Sequence, residues 1–582
     1  MNNNMDIKKE RPAGPPPSGP SSDKSQKKGV SSKNMKLTTI ETDVFVIGGG
    51  FAGNFAAINA VEAGAKVVMA VKGRAGRSGL TPWANSWFVF KDTRGATRED
   101  YIKQFVLSGE YLNNMDYANI LIDEAYDRYE DVSSWGAKTG RTHYFQGGTV
   151  TRSIEVVDSG DAMRKKSVEV GVDLLERVMI TSLIQEDEKV VGGIGFHMET
   201  GKPYAILAKA TIMCAGPASF KPLGMGYPCS SATADGDAMA YRVGAEISGK
   251  EFVDSHGGQG ENPLIETVKN PGIKSALLMG GGPPGAERPV EELKGGLGLR
   301  IDTVMGINEG GQPIDPKYQR SIAGGRPRPA PPGGHMGYST IGMSNHKCEG
   351  VFPQDLHGAS NVPGLWAAGD GLSSMQNGAG YAGFGSSCAG SSVQGARAGK
   401  AAAEFAKKES APKVSQEHLD NQMKEMFDPI DRKKGYSPAW VTRLLQNTMF
   451  PYYVMFVKEK SRMECALNQI MYLQDKFAPQ LKCEDFHGLR SAHETRNMLL
   501  NAEMKLRAGL AREESRGTHY REDFPFRDDK NWLAWIKLVE KDGKMEVVKH
   551  PIPEKWHPDT SLSYREKYHV PFPHEDEYIQ NL

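Results

Sequence analysis

A short apolar strand ending in three glycines at 48–50, the same strand-then-glycine pattern at 364–369, and helical apolar spacing beyond residue 412 predict an α/β fold. Its expected architecture is a Rossmann-like nucleotide-binding domain built from two chain segments, with an inserted capping domain and a C-terminal helical domain. The expected boundaries are a disordered leader at 1–38, first domain segment 39–250, capping or substrate domain 251–350, second domain segment 351–411, helical domain 412–534 and C-terminal tail 535–582. With 582 residues, 39% of them apolar and 24% charged, there is material for two or three domains and a large buried core.

The leader is rich in Pro, Gly, Ser, Lys and Asn, includes a PPPSGP run, and cannot bury enough apolar surface to offset the entropy of ordering. Order begins at Glu41 to Ile47, where TDVFVI is a short apolar run that suits a buried parallel strand. FAGNFAAINAVEAG (51–64) has helical spacing with a glycine at its end, and KVVMAV (66–71) reads as the next strand, completing a β-α-β unit. Further strands are expected at 178–184, 190–196 and 208–215. From about 251 to 350 the chain turns rich in Gly and Pro, as a loop-rich insertion would. GLWAAG (364–369) returns to the strand pattern, 389–407 reads as a helix, and Leu444, Leu445, Met449, Leu467, Ile470, Leu473, Leu499, Leu500 and Leu506 recur as on amphipathic helices.

Lys plus Arg equals Asp plus Glu at 71 each, so no overall field favours nucleic acid or an anionic membrane. No stretch approaches the ~20 apolar residues of a membrane span, and the N-terminus lacks the apolar core of a secretory signal, which together predict a cytoplasmic protein. The six cysteines (Cys214, Cys229, Cys348, Cys388, Cys465, Cys483) are scattered without a C-x-x-C pair. They read as reduced, mostly core thiols; no metal site is expected, and any iron–sulfur cluster belongs on another chain.

The chemistry-bearing pattern starts with Gly48, Gly50, Phe51, Ala52 and Gly53, a G-x-G-x-x-G placed after a strand and opening a helix. The glycines let backbone approach a pyrophosphate, whose charge the amides of a helix N-terminus stabilise. The second strand ends Met69-Ala70-Val71-Lys72 without the acidic residue that usually holds a ribose, so ribose recognition is expected elsewhere, from backbone near Lys72. Arg77, Ser78 and Gly79 in RAGRSGLT, Ala215 and Gly216 closing TIMCAG, and Gly369 and Asp370 in GLWAAGD extend the pattern to a flavin. A carboxylate at Asp370 can accept hydrogen bonds from ribityl hydroxyls, although a helix N-cap is its plain structural alternative.

With SATADGDAMAYRVGAE (231–246, carrying Asp235), EFVDSH (251–256), GAGYAGFGSS (carrying Ser386) and NAEMKLRAGLAREESRGTHYREDFPFRDDKNW (501–532), the chain resembles the flavoprotein subunits of fumarate reductase and succinate dehydrogenase, with L-aspartate oxidase and the adenylylsulfate reductase alpha subunit as relatives. The similarity runs from about 41 to 532. It implies an FAD-dependent oxidoreductase that moves two electrons between a carbon–carbon bond and the flavin and exchanges them with an iron–sulfur or other electron-carrier partner. It also implies that His256, His335 and Tyr381 stand near the flavin ring.

The departures from the family are as informative. Respiratory members attach FAD through a histidine after Arg-Ser; here Gly79 follows, so FAD is expected to be non-covalent. His256 is followed by Gly257, Gly258 and Gln259 rather than the family's threonine segment, and the family's proton-delivering arginine has no counterpart, with Lys274 and Arg288 in its region. The motif whose arginine grips a substrate carboxylate appears as Asn377 to Gly383 with Tyr381 in the arginine's place. A phenol cannot replace a bidentate guanidinium, so succinate and fumarate are not the expected substrates. Two alternatives stay open: a sulfur-chemistry flavoprotein like adenylylsulfate reductase, and a non-catalytic FAD-bearing subunit of an electron-transfer complex. Arg507, Arg512 and Arg516, interleaved with Glu513 and Glu514 on a helix closing at Gly517, read as a structural clamp, and Arg326 and Arg328 as a solvated basic loop.

Overall fold

The computed structural model describes residue 32 and residues 35–83, 86–93, 95–144, 152–221, 231–254, 343–344, 347–380, 385–449, 452–455, 457–568, 571–572 and 574–579. Most of the expected capping domain lies outside the described residues. His256, His335 and Tyr381 do too, as do Lys274, Arg288, Arg326 and Arg328.

In chain order the elements are β1 (Thr38–Ile47), α1 (Phe51–Glu62), β2 (Val67–Val71), β3 (Ser86–Val89), α2 (Arg98–Gly109), α3 (Met115–Ser134), β4 (Lys138–Tyr144), β5 (Arg152–Val157), α4 (Ser159–Glu169), β6 (Asp173–Glu176), β7 (Val178–Glu186), β8 (Lys189–His197), β9 (Pro203–Met213) and α5 (Asp235–Arg242). The main sheet runs β6-β2-β1-β9, all parallel. The N-terminal half of β9 then pairs antiparallel with β8, and β8 with β7, while its C-terminal half takes the short strand Leu365–Ala367 in parallel. Val44, Phe45 and Val46 are fully buried, with Phe45 packed in one apolar cluster and Val44 and Val46 in another, as expected of a strand covered on both faces.

α1 is buried along its whole front from Phe51 to Ala60, because it lies between the sheet and α6 (Ser386–Ala406). Their backbones nearly touch: a Cβ on Gly395 or Gly399 of α6 would meet the carbonyl oxygens of Ala52 and Ala56 at 2.3 and 2.2 Å. A second, three-stranded sheet, β3-β5-β4, packs Trp87 and Phe88 with Phe51, Phe55 and the α2 and α3 side chains Phe105 and Leu121.

Beyond α6 come α7 (Gln416–Asp431), α8 (Pro438–Met449), α9 (Lys460–Lys476) and α10 (Phe486–Ala511). Leu445, Met449, Ile470, Leu473, Leu499 and Leu506 form the shared core of α8, α9 and α10, as the apolar spacing predicts, and α7 packs Leu419, Met426 and Phe427 against β7–β9 side chains. α10 ends at Ala511, not at Gly517. The reason is side-chain pairing: Glu514 bonds both Arg512 and Arg516, partners two residues away on either side, and residues two apart do not face each other on a helix. The segment expected to be a tail forms a hairpin, Ala534–Lys541 with Lys544–Pro551, which joins Ile247–Ser248 and Gly350–Val351 in a four-stranded sheet. Its turn is Asp542-Gly543, with φ of 51° and 74°. Cys214, Cys348, Cys388 and Cys483 are buried free thiols and Cys465 is exposed. Among the described residues no helix is long and apolar enough to cross a membrane.

Candidate functional site

The C-terminal edge of the parallel strands is where an open α/β sheet offers a nucleotide site. There the β1–α1 turn is packed so tightly that side chains are excluded. A Cβ at Gly48, whose φ is 111°, would lie 2.1 Å from the Cys214 oxygen, and one at Gly53 would lie 1.9 Å from the Gly48 oxygen. Gly50 differs. Its Cβ would meet only Thr81 Oγ1, at 3.0 Å, and among the described residues nothing lies within 4 Å of a Cβ at Gly79 or Gly216. No side chain caps the α1 N-terminus, so its amides face this space available to an anion. Asn54 holds the turn from below: its Nδ2 donates to the Gly49 and Gly50 oxygens, both at 2.9 Å, and its Oδ1 accepts from Ser167. An Asn directly after the glycine turn, within the otherwise apolar FAGNFAAINA run, was the signal for this role.

Asp370 stands just beyond the strand Leu365–Ala367, in a short turn whose Gly369 amide donates to Gln394. Its Oδ1 accepts from Lys347 Nζ at 2.5 Å, and Lys347, fully buried, also reaches Ser391 Oγ at 2.7 Å. Nothing in the sequence marked Lys347. Around it, Gln394 donates to Ser374 and Gln376, and Asn113 donates to the Gln376 carbonyl. Ser386, at the first turn of α6, is fully buried and its Oγ has no partner among the described residues. A buried hydroxyl without a partner is costly unless a ligand supplies one. The open glycine backbone, the uncapped helix end and this hydroxyl together fit a flavin dinucleotide.

Lys72 and Asp235 are brought together, but chiefly with each other. Lys72 Nζ donates to Asp235 (2.7 Å), Thr233 (2.9 Å) and Glu494 of α10 (2.9 Å), while Asn497 holds the other Asp235 oxygen at 2.8 Å. Burial disfavours the Lys72 charge, yet Asp235 and Glu494 outweigh it and raise its pKa; burial likewise opposes the Glu494 charge, but Lys72 and Lys221 hold that carboxyl down to about 2. Arg77 is half-exposed and paired with Asp161 in a surface cavity of about 510 Å³, and Ser78 turns inward to bond the Arg74 backbone. Thus Gly48, Gly50, Phe51, Ala52, Gly53 and Ala215–Gly216 form the turn itself, whereas the Arg77 and Ser78 side chains brace a loop. Opposite Val71, Glu176 accepts from the Ala75 amide and from Arg164, an acidic group beside β2 that comes from the neighbouring strand rather than from β2.

Arg512, Arg516 and Arg521 are fully buried. Arg512 bonds Glu251, Glu514 and the carbonyls of Trp532 and Ala534; Arg516 bonds Glu514 through two nitrogens, Asp529 and the Glu110 carbonyl. Arg521 binds Asp523 and the carbonyls that end α10. Their donors are spent on protein groups, which is the structural clamp.

Residues 43–257 match the FAD binding domain family, and residues 442–563 match the family described as fumarate reductase flavoprotein C-term. Among curated proteins, the chain is 28% identical over 566 residues to a subunit of the CoM/CoB fumarate reductase of Methanothermobacter marburgensis, covering 88% of this chain and 99% of that one. Among solved structures, E. coli quinol fumarate reductase superposes with a TM-score of 0.71 at 19% identity, covering 91% of this chain and 99% of the other. Adenylylsulfate reductase from Archaeoglobus fulgidus gives 0.69 at 20%, covering 90% and 98%. The structural likenesses establish the mixed α/β flavoprotein fold. The fold and the family matches define an FAD-dependent oxidoreductase. It belongs to the fumarate reductase/succinate dehydrogenase flavoprotein superfamily.

Proposed function

We propose that the chain is the flavin-bearing subunit of an enzyme that oxidises or reduces a carbon–carbon bond, that its FAD is non-covalent, and that its electrons pass through a separate electron-carrier chain. The observation that carries this reading is the side-chain-free space before Gly50, Gly79 and Gly216, bordered by the uncapped end of α1. The curated relative from a CoM/CoB fumarate reductase, itself one subunit of its enzyme, supports the reaction class and the need for a second chain. When bound, the flavin supplies two-electron chemistry.

The protein's own part follows from the residues present. The α1 amides stabilise the pyrophosphate charge, and Gly50 lets it approach the backbone. Lys347 holds the Asp370 side chain in place, and its carboxylate can accept from ribityl hydroxyls. Ser386 Oγ offers a further hydrogen bond. Lys72 and Asp235, tied to α10 through Glu494 and Asn497, brace the region, and His256, His335 and Tyr381 line the substrate pocket and handle its proton.

Because Tyr381 stands where the family's motif carries a carboxylate-gripping arginine, the substrate is expected to be something other than a small dicarboxylate. Anaerobically reduced protein should be reoxidised by a member of a panel of larger alkenes and not by fumarate. Rapid reoxidation by fumarate would overturn the substrate assignment, and reoxidation by sulfur compounds alone would overturn the reaction class. If the Tyr381 phenol bonds substrate or moves a proton, Tyr381→Phe should lose roughly 1–3 kcal/mol of transition-state stabilisation.

A further inference from the structure

Beyond the flavin site, four chain segments converge on a buried cluster of four charged side chains. Lys250 Nζ donates to Asp237 Oδ2 of α5 at 2.5 Å and to Asn501 Oδ1 of α10 at 2.8 Å, and stands 3.6 Å from Glu349 Oε1. Lys505, one turn along α10 from Asn501, donates to Glu349 Oε2 at 2.6 Å. The four charged side chains are at most 2% exposed.

Two ion pairs built only for stability would satisfy their atoms. Here Asp237 Oδ1, Glu349 Oε1 and Asn501 Nδ2 make no hydrogen bond among the described residues. Asp237 Oδ1 also faces the cofactor side. It lies 3.9 Å from the Cβ position of Gly371, the residue after Asp370, and that same position lies 3.6 Å from the Gly216 oxygen. Glu349 is two residues from Lys347, the partner of Asp370. The cluster thus lies beside the turn that carries Asp370 and Gly371.

We propose that Glu349, held between Lys250 and Lys505 and coupled to Asp237, takes up one proton from solvent each time the bound flavin gains two electrons, so that the cluster is the enzyme's charge-compensating proton acceptor. The proposal rests on the reading that this cradle holds FAD. With Lys250 and Lys505 charged and both carboxylates ionised, the cluster is neutral while the flavin is oxidised. Hydride from the two-electron donor adds one negative charge to the flavin; a solvent proton then forms an O–H bond on the Glu349 carboxylate, no group leaves, and the summed charge is restored. Electron and proton binding are linked reciprocally, so each favours the other.

The groups that face Glu349 are Lys250 from the loop after Ser248, Lys505 from α10 and Asp237 from α5. Burial is the largest influence and raises its pKa, Lys250 and Lys505 oppose that, and Asp237 adds to it; the outcome lies above the usual carboxylate range. Glu349, rather than a solvated carboxylate, is therefore the group ready to accept a proton.

The test is a spectroelectrochemical titration of the FAD-loaded full-length protein across about pH 6 to 8, with mediator dyes. For a two-electron couple each proton taken up changes the equilibrium tenfold per pH unit, about 30 mV. Uptake at the flavin and at Glu349 should give the wild type a slope of about 60 mV per pH unit, and Glu349→Gln about 30 mV. A wild-type slope of about 30 mV overturns the proposal without any variant, and so does a Glu349→Gln slope that stays at about 60 mV. Protein that purifies without flavin absorbance would instead sink the cradle reading on which the proposal rests.

Discussion

Gly50→Val separates cofactor binding from folding. In the native turn Gly50 has φ −80°, which any residue adopts, and a Cβ there would meet only Thr81 Oγ1 at 3.0 Å. A shift of a few tenths of an ångström in one hydroxyl accommodates the Cβ, so the cost to folding should stay within about 1–3 kcal/mol. The valine methyls, however, extend into the space before the α1 amides. If they deny the pyrophosphate two charge-assisted hydrogen bonds at about 1.5–3 kcal/mol each, FAD binding weakens by about 3–6 kcal/mol, or about 10² to 10⁴-fold. Gly53→Ala provides the contrast, because its Cβ would sit 1.9 Å from the Gly48 oxygen and should damage the fold itself. Far-ultraviolet circular dichroism and denaturant midpoints report folding, and flavin absorbance per chain after gel filtration reports retention. A folded Gly50→Val protein with wild-type FAD content would refute the assignment of this turn to the pyrophosphate.

Three other outcomes are expected. Acid precipitation should release intact FAD into the supernatant, since Gly79 offers no atom for a covalent link; flavin remaining in the washed pellet would contradict this. Glu514→Gln should cost about 3–5 kcal/mol in urea unfolding, because Arg512 and Arg516 would share a buried site without their common carboxylate; a loss below about 1 kcal/mol would make the clamp dispensable. Buried His493 donates to the Met426 carbonyl, and burial, with Arg496 nearby, lowers its pKa to about 4. The unfolded chain binds that proton near 6.5 and the folded chain does not until about 4, so stability falls as pH drops through this window, by up to roughly 3 kcal/mol. His493→Gln should flatten that part of the curve relative to wild type, and parallel curves would exclude the assignment.

The elements nearest the cofactor were legible in the chain because they are governed by local rules. β1 reads as a double-faced apolar run, the glycines after it leave few backbone alternatives, and α1 has no polar face to misplace. β1 begins earlier than the apolar run implies, at Thr38, because pairing with β9 extends it through β-branched but mostly solvent-facing residues outside the apolar run. The hairpin at Ala534–Pro551 carried a readable signal in Asp542-Gly543 between alternating segments, and its short, charged strands concealed it within a Pro- and His-containing stretch.

The sequence by itself determined the nucleotide-binding turn, since glycines before a helix start let backbone approach a pyrophosphate, and the flavin and the superfamily were legible there through resemblance of several segments to a known family. Tertiary structure decided which ionisable groups surround that cradle. Lys347 reaches Asp370 from outside any motif, Lys72 joins Asp235 to Glu494 on α10, and Lys250, Glu349 and Lys505 meet although 99 and 156 residues separate them in turn along the chain. The physical reason is that backbone geometry follows near neighbours in sequence, whereas a buried charge depends on whichever partner the packed fold sets within hydrogen-bond reach.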